Sequence, residues 1–510
     1  MKTYLELHED IDKSELFKGF LGFGLFAEKI PNFLTSEKFC DYIKTQTFPY
    51  NDSKPTDYIR YSNMRNINIP RALAIPEPFS YANQSFILAE NWSKIVLHFK
   101  KKTKNQSYKA SRIHIWKLKD KESIFEMNYK NFNIDGNPEN KIYIKSKYVS
   151  EADIATCFPS IYSHSISWAL IGKDKAKQKS KPQFKDYWTN LIDFYTRNLK
   201  YGETNGVLIG PHSSNLIAEI ILTCIDNELV KKKYRFYRNI DDYTCFTNSY
   251  EEAEKFFIDL SDLLKNYELS LNSKKSKINQ LPQATVTNWV TKLNHFNFRE
   301  EYLLPTGQKG LKLSELKGFI DFAIETMLDN NSDAAILNYA IKIVSGKKLG
   351  KTATEYYFDK IHHLTLLYPY LILIIEKYVF EKHQISKNQI EQISNDIYEI
   401  GIKKKNYELC SYAIYFAIKY NFNLNFENNL KKDAIKSTDC IFLMIAFLYD
   451  KKHKAISYLK EYKDLAKKFS DDGDFNRYWV FCYEVLTQNE LKDKYKLLKQ
   501  NKISFVKKGF

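Results

Sequence analysis

The stretch YRFYRNIDDYTCFTN, residues 234–248, sets Asp241 and Asp242 between two short runs of aromatic and β-branched residues. Strand-forming residues on both sides of a polar pair predict a tight hairpin with the two carboxylates at its tip. An Asp-Asp pair alone says little, because Asp is an ordinary turn residue. The same chain carries Asp471 and Asp472 in FSDDGDF, where Gly473 marks a solvated turn. The first pair is set apart by what surrounds it.

Upstream, the strand-like YVSEAD (148–153) ends on Asp153, and Phe158 follows five residues later. Between this site and the hairpin, GVLIGPHSSNLIAEIIL (206–222) runs from a Gly/Pro turn through Ser213, Ser214 and Asn215 into an apolar helix. Downstream of the hairpin, a helix is expected near 250–267, followed by LSLNSKKSKI (269–278). The order is therefore Asp-x4-aromatic, Gly-x3-Ser opening a helix, x-x-Asp-Asp in a hairpin, and Leu-Asn-x-x-Lys.

That order resembles the palm of the reverse transcriptases over residues 110–300. The resemblance implies an α+β fold, a right-hand polymerase fingers and palm. It implies nucleotidyl transfer from deoxynucleoside triphosphates with two Mg2+ ions, for which Mn2+ can substitute. Two-metal phosphoryl transfer needs hard oxygen ligands and few carboxylates per ion, which acidic residues from two strands supply. By the family's pattern Asp153 and Asp241 bridge the metals, Asp242 is the outer ligand, and Ile154 adds its backbone carbonyl. Phe158 falls at the steric gate against the sugar 2′ position, and Lys275 at the general acid facing pyrophosphate. Gly210, Ser214 and Asn215 fall beside the incoming nucleotide. Arg60, Arg65 and Arg71 lie where the fingers contact triphosphate, and Arg makes bidentate phosphate contacts that Lys does not.

Two positions depart from the family. Pro-Gln-Gly is replaced by Leu208, Ile209 and Gly210, and Tyr-x-Asp-Asp by Asn239, Ile240, Asp241 and Asp242. The metal ligands are kept while the template side is changed. Together with IPRALAIPEPFSY (69–81) and a long helical C-terminal part, these departures resemble the bacterial defence-associated, abortive-infection type of reverse transcriptase. Its palm is fused to a HEAT-like helical-repeat domain. That resemblance implies antiphage defence in the bacterial cytoplasm, homo-oligomers, and template-independent DNA synthesis with the product attached to a protein hydroxyl. Copying of a dedicated non-coding RNA is the alternative within the enzymes. A non-catalytic nucleic-acid-binding scaffold is the alternative outside them. The segment ATVTNWVTKLNHF (284–296) lacks the Val-Thr-Gly of retron enzymes.

Composition bounds the rest. The chain has 510 residues, a hydrophobic fraction of 44% and a charged fraction of 27%, which excludes wholesale disorder. Sixteen Gly and 13 Pro exclude a collagen-like or low-complexity chain. The longest apolar stretch, Leu364 to Ile375, is 12 residues and contains Pro369, against about 20 for a membrane span. Seven cysteines without a CxxC pair argue against a disulfide framework or a structural zinc site, and the N-terminus does not read as a signal peptide. The net charge of +16 comes from 68 Lys and only 9 Arg against 61 acidic residues. A genome poor in G and C would produce such a lysine excess, so the arginines say more. Three of them sit in the expected fingers, and Arg235 and Arg238 run into the hairpin.

Extended structure is expected around Pro70, Pro76 and Pro78, a helix over Gln84 to Phe99, and strands over 111–120 and 141–158. After residue 312 helical periodicity recurs, with Leu409, Tyr412, Ala413, Phe416, Ala417 and Tyr420 on one stripe. The expected division is 1–110 for the N-terminal region and fingers, 111–311 for palm and fingers, and 312–510 for an all-α repeat domain.

Overall fold

The computed structural model describes residues 2–26, 29–118, 136, 138–283, 288–299, 301–305 and 307–510. Its centre is a five-stranded sheet of β3 (Ser111–Arg112), β4 (Tyr148–Asp153), β5 (Arg235–Asn239), β6 (Asp242–Thr247) and β7 (Lys277–Gln280), in the order β3-β5-β6-β4-β7. All pairings are antiparallel except β3 with β5. The helices Tyr250–Lys265 and His212–Lys231 pack together, and the first also lies against β4 and β6. Ser249 caps the start of Tyr250–Lys265 by accepting from Glu252 N at 3.2 Å.

Several local expectations shift. The strand expected over 111–120 shortens to Ser111–Arg112, because Ile115 N turns back to Ile113 O at 2.9 Å; residues 119–120 lie outside the described residues. Within 141–158 only Tyr148–Asp153 is extended, flanked by the short helices Glu139–Ile142 and Cys157–Ser160. The segment around Pro78 is helical: Pro78 occupies the first turn of Pro78–Glu90, where a missing N–H does no harm, and the Glu77 carboxylate accepts from Ser80 N at 2.6 Å. The helix read over Gln84 to Phe99 is two helices, Pro78–Glu90 and Trp92–Thr103, broken at Asn91. Of the retron comparison segment, residues 284–287 lie outside the described residues, and Asn288–Asn294 is helical.

Beyond Leu313 the chain is largely helical, and helices neighbouring in sequence pack in space. The helix Tyr407–Tyr420 is buried all round from Glu408 to Ile418, not along one stripe. It packs on Lys387–Lys404 and Cys440–His453 and also meets the antiparallel hairpin of β1 (Tyr58–Met64) and β2 (Pro70–Pro76). Hydrophobic packing is continuous from Tyr4 to Phe505. The end of the chain returns to its beginning, with Thr35 N donating to Phe505 O and Lys507 N to Phe33 O, both at 2.8 Å.

The contact between β1 and the helical part is polar at its centre. Glu408, 2% exposed, accepts from Met64 N at 2.7 Å and from Asn63 Nδ2. Around it, Asn66 Nδ2 donates to Asp333 Oδ1 at 2.6 Å, Asn66 O accepts from Ala334 N at 3.1 Å, and Asn68 Nδ2 donates to Leu367 O at 3.1 Å. Burial pushes the Glu408 carboxyl up from 4.5 to about 7 against the pull of the Met64 N and Asn63 Nδ2 donors. A raised folded-state value contributes stability that is complete below the ordinary carboxylate range and disappears as pH rises through about 7. The thermal midpoint is therefore expected to fall more steeply between about pH 4.5 and about pH 7 in the native protein than in Glu408→Gln, which keeps an acceptor oxygen but does not titrate. Parallel pH profiles in differential scanning fluorimetry would contradict this reading.

Candidate active site

Strand pairing alone brings the three aspartates together. Asp153 closes β4, and its partner in register is Asp242, the first residue of β6. Ile240 and Asp241 form the two-residue turn between β5 and β6, in which Asn239 faces Asp242. One carboxylate oxygen from each of Asp153, Asp241 and Asp242 lies within 4.8 Å of the other two. Asp153 is buried, Asp241 half-buried and Asp242 exposed at the rim. Partial desolvation, reinforced by the charges of Asp241 and Asp153, pushes the Asp242 carboxyl up to about 7. Desolvation, with the nearby Asp153 charge, raises Asp241 as well. Such a cluster of anions requires compensating cations, and the hard-oxygen donor set suits Mg2+ or Mn2+.

Part of that compensation comes from the chain. Lys275 Nζ lies 3.0 Å from Asp153 Oδ2, which also accepts from Asn272 Nδ2 at 2.8 Å. Asn272 N donates to Asp153 O at 2.7 Å, and Ile154 N to Asp241 O at 3.3 Å. Ile154, expected to lend its carbonyl to a metal, thus sits in a backbone bridge to Leu271 beside both aspartates.

Beneath the turn lies an ion-pair network that the sequence reading did not assign. Arg238 is fully buried, so it is unavailable to nucleic acid. Its guanidinium meets Glu219 Oε2 and Asp226 Oδ2, each at 2.8 Å, and Nη1 donates to Ile240 O at 2.7 Å. Tyr243 OH and Ser111 Oγ donate to Asp226 at 2.9 and 2.6 Å. Ile240 has φ +54°, the left-handed region that a β-branched residue rarely enters. The Arg238 contact holds its carbonyl there. Arg235, the other hairpin arginine, is bound to Ile144 O at 2.7 Å and Ser146 Oγ at 2.8 Å.

The residues expected beside the nucleotide converge less completely. Phe158 is half-buried, and its carbonyl accepts from Val207 N at 2.9 Å, joining the Asp153 strand end to the 206–210 turn. Gly206 is required there, because at φ +83° an added Cβ would lie 2.6 Å from Pro159 O. Gly210 has φ +134° and precedes the helix on which Ser214 is buried and Asn215 half-buried. Ile209 O accepts from Ala74 N at 2.8 Å and so ties β2 to this turn. Of the three fingers arginines, Arg71 is exposed, and its charge bears on Asp241. Arg60 is engaged by Asp57 at 3.3 Å and stacks on Tyr58, and Arg65 is half-buried at the end of β1.

Asn272, Glu219, Asp226 and Tyr243 escaped the sequence reading as site residues. Asn272 stood inside the quoted Leu-Asn-x-x-Lys pattern. Glu219 and Asp226, seven apart on an apolar helix, were the available signal, since buried acids require partners.

Replacing Arg238 with Met is expected to leave two buried carboxylates without a cation. That destabilises the fold by about 3–5 kcal/mol and lowers the thermal midpoint, with Arg238→Lys intermediate because it keeps the charge but loses the fork. An unchanged midpoint in Arg238→Met would show that the network does not hold the hairpin.

Residues 98–295 match the family model for reverse transcriptase (RNA-dependent DNA polymerase). A comparison with curated proteins gives no match. Among solved structures, telomerase from Candida albicans in complex with a TWJ fragment of telomeric RNA is similar at 11% identity and TM-score 0.29, over 69% of this chain and 62% of that one. Apo telomerase from Candida tropicalis is similar at 11% identity and TM-score 0.33, over 74% and 71%. This chain thus spans less than two thirds of the first of these relatives. Among the described residues, no helix is long and apolar enough to cross a membrane. The chain thus carries a reverse transcriptase (RNA-dependent DNA polymerase) domain over residues 98–295, with Asp153, Asp241 and Asp242 as its candidate catalytic carboxylates.

Proposed function

We propose that this chain is a Mg2+-dependent DNA polymerase of antiphage defence, extending DNA from deoxynucleoside triphosphates without an external template and from a protein hydroxyl. The observation that carries the polymerase reading is the convergence of Asp153, Asp241 and Asp242 at strand ends within 4.8 Å. Asp153 and Asp241 would hold Mg2+ or Mn2+ in common, with Asp242 outside them and the Ile154 carbonyl completing the set. When bound, the metal supplies charge neutralisation and activation of the attacking hydroxyl.

The chain's own residues bind and orient. Arg71, exposed and electrostatically coupled to Asp241, is the fingers arginine best placed for a triphosphate. Arg60 and Arg65 would act around it. Phe158, tied through its carbonyl to Val207, would offer a ring against the sugar, with Gly210, Ser214 and Asn215 beside the incoming nucleotide. Lys275, exposed and paired with Asp153, can deliver a proton to departing pyrophosphate.

Support for untemplated synthesis comes from Leu208 and Ile209. Ile209 stands where the family places a Gln that hydrogen-bonds near the template, and Leu208 where it places a Pro, so neither side chain can make that bond. The defence role, oligomeric assembly, bacterial cytoplasmic location, HEAT-like repeats and the division at residues 110 and 311 rest on the sequence resemblance. Dependence on a co-purifying non-coding RNA would instead favour RNA-directed synthesis.

Purified protein given each deoxynucleotide and Mg2+, without template, is expected to form DNA that migrates with protein until protease treatment and resists RNase. Asp241→Ala should lower incorporation by at least about a hundredfold and abolish phage protection. Phe158→Ala should admit ribonucleotides. No incorporation under any condition, with phage protection intact in Asp241→Ala, would overturn the polymerase reading and leave the scaffold reading.

A further inference from the structure

The hairpin of β1 and β2 is gripped by the helical part through β1 and the residues at either end of it. Just before β1, the Asp57 carboxylate meets Arg477 Nε at 2.5 Å. At the end of β1, Glu408 accepts from Met64 N at 2.7 Å and from Asn63 Nδ2. At the hairpin tip, Asn66 and Asn68 bind Asp333 and Leu367. By contrast β2 is exposed over Pro70, Arg71 and Ala72, and Arg71 is its one charged side chain. In the ladder Arg71 stands directly opposite Asn63. Opposed residues of an antiparallel pair share a face, with Cβ atoms about 5 Å apart, so a shift of one carries the other. Asn63 is fully buried against Glu408, while Arg71 is exposed and its charge bears on Asp241.

Glu408 is the one charged side chain in the buried run Glu408–Ile418 of the helix Tyr407–Tyr420. Burying a carboxylate is costly, and a residue chosen for packing alone would be apolar there. Its hydrogen bonds go instead to the strand position across from Arg71. We infer that Glu408 is a positioning residue for nucleotidyl transfer: by holding Asn63 and Met64 it fixes where Arg71 stands relative to Asp241, so that the helical part sets the affinity for the incoming triphosphate. The inference rests on the reading of Arg71 as the triphosphate contact. Asn63 Oδ1 has no hydrogen-bond partner among the described residues. Glu408→Gln can therefore still accept from Met64 N, and can donate to Asn63 Oδ1 once the Asn63 amide turns over, whereas Glu408→Ala can do neither.

The test is a double-mutant cycle on the full chain with Mg2+. It reads kcat and KM for deoxynucleoside triphosphates, and Kd for a fluorescent dATP analogue by anisotropy, which needs no turnover. Arg71→Ala is expected to raise KM and Kd about tenfold. Glu408→Ala should raise both at least about fivefold while kcat stays within about twofold, because the contact it misplaces is one of binding. Glu408→Gln should stay within about twofold of the native protein in all three. In the Arg71→Ala background Glu408→Ala should add nothing, a result that a general loss of packing would not give. Asn63→Ala, which keeps the Met64 bond, passes through the same cycle and decides the matter if Glu408→Ala does not fold. The inference is overturned if these variants leave KM and Kd unchanged, or raise them equally in both backgrounds, while Arg71→Ala alone raises them. If Arg71→Ala itself changes neither, the reading of Arg71 fails and the inference falls with it.

Discussion

Arg238 is the constraint on which the catalytic geometry rests. A guanidinium with no exposure to water is tolerable only when nearly every donor is used, and here Glu219, Asp226 and the Ile240 carbonyl use them. The two acids belong to the helix His212–Lys231, while Ile240 belongs to the turn that carries Asp241. One side chain therefore locks the helix that follows the Gly210 turn to the hairpin that presents the carboxylates. It also holds a β-branched residue in the left-handed region, and the register of β4 with β6 then sets Asp242 against Asp153. Unfavourable backbone geometry and mutual carboxylate repulsion are both concentrated at this turn, as expected where structure is held for chemistry.

A second set of restraints governs the β1–β2 hairpin. The β1–β2 hairpin, which carries Arg60 and Arg71, is bound at both ends of its span. Ala74 N is tied to Ile209 O of the palm turn. Met64 and Asn63 are tied to Glu408, and Asn66 and Asn68 to Asp333, Ala334 and Leu367, all in the helical part. The helical part thus bears directly on the hairpin that carries Arg71. Any motion of that hairpin must carry these contacts with it or break them.

Much of this was legible in the sequence because the chemistry is local in spacing. Asp153 with Phe158, the Gly210-x3-Ser214 turn, and the Asp241–Asp242 hairpin each stand within a few residues, and strand pairing does the rest. The helical character beyond residue 312 was equally plain from its periodicity. Arg238 was not legible. An arginine beside the hairpin gives no sign in sequence of whether it faces solvent or the core, and only the tertiary placement of Glu219 and Asp226 shows it to be a buried tie. The helix at Pro78 was hidden because proline signals a break in one position and a start in another, and Glu77 decides between them through its cap. The full burial of Tyr407–Tyr420 was hidden because an apolar stripe does not reveal how many neighbours cover the other faces.

The central claim is that β4 and the β5–β6 hairpin present a shared metal site for nucleotidyl transfer. It is tested most directly by anomalous diffraction from crystals soaked with Mn2+ and a non-hydrolysable deoxynucleoside triphosphate. Mn2+ peaks ligated in common by Asp153 and Asp241 are expected, with the triphosphate beside them and Lys275 displaced from Asp153. Crystals that bind Mn2+ elsewhere, with the Lys275–Asp153 pair intact and the three carboxylates bare, would contradict it.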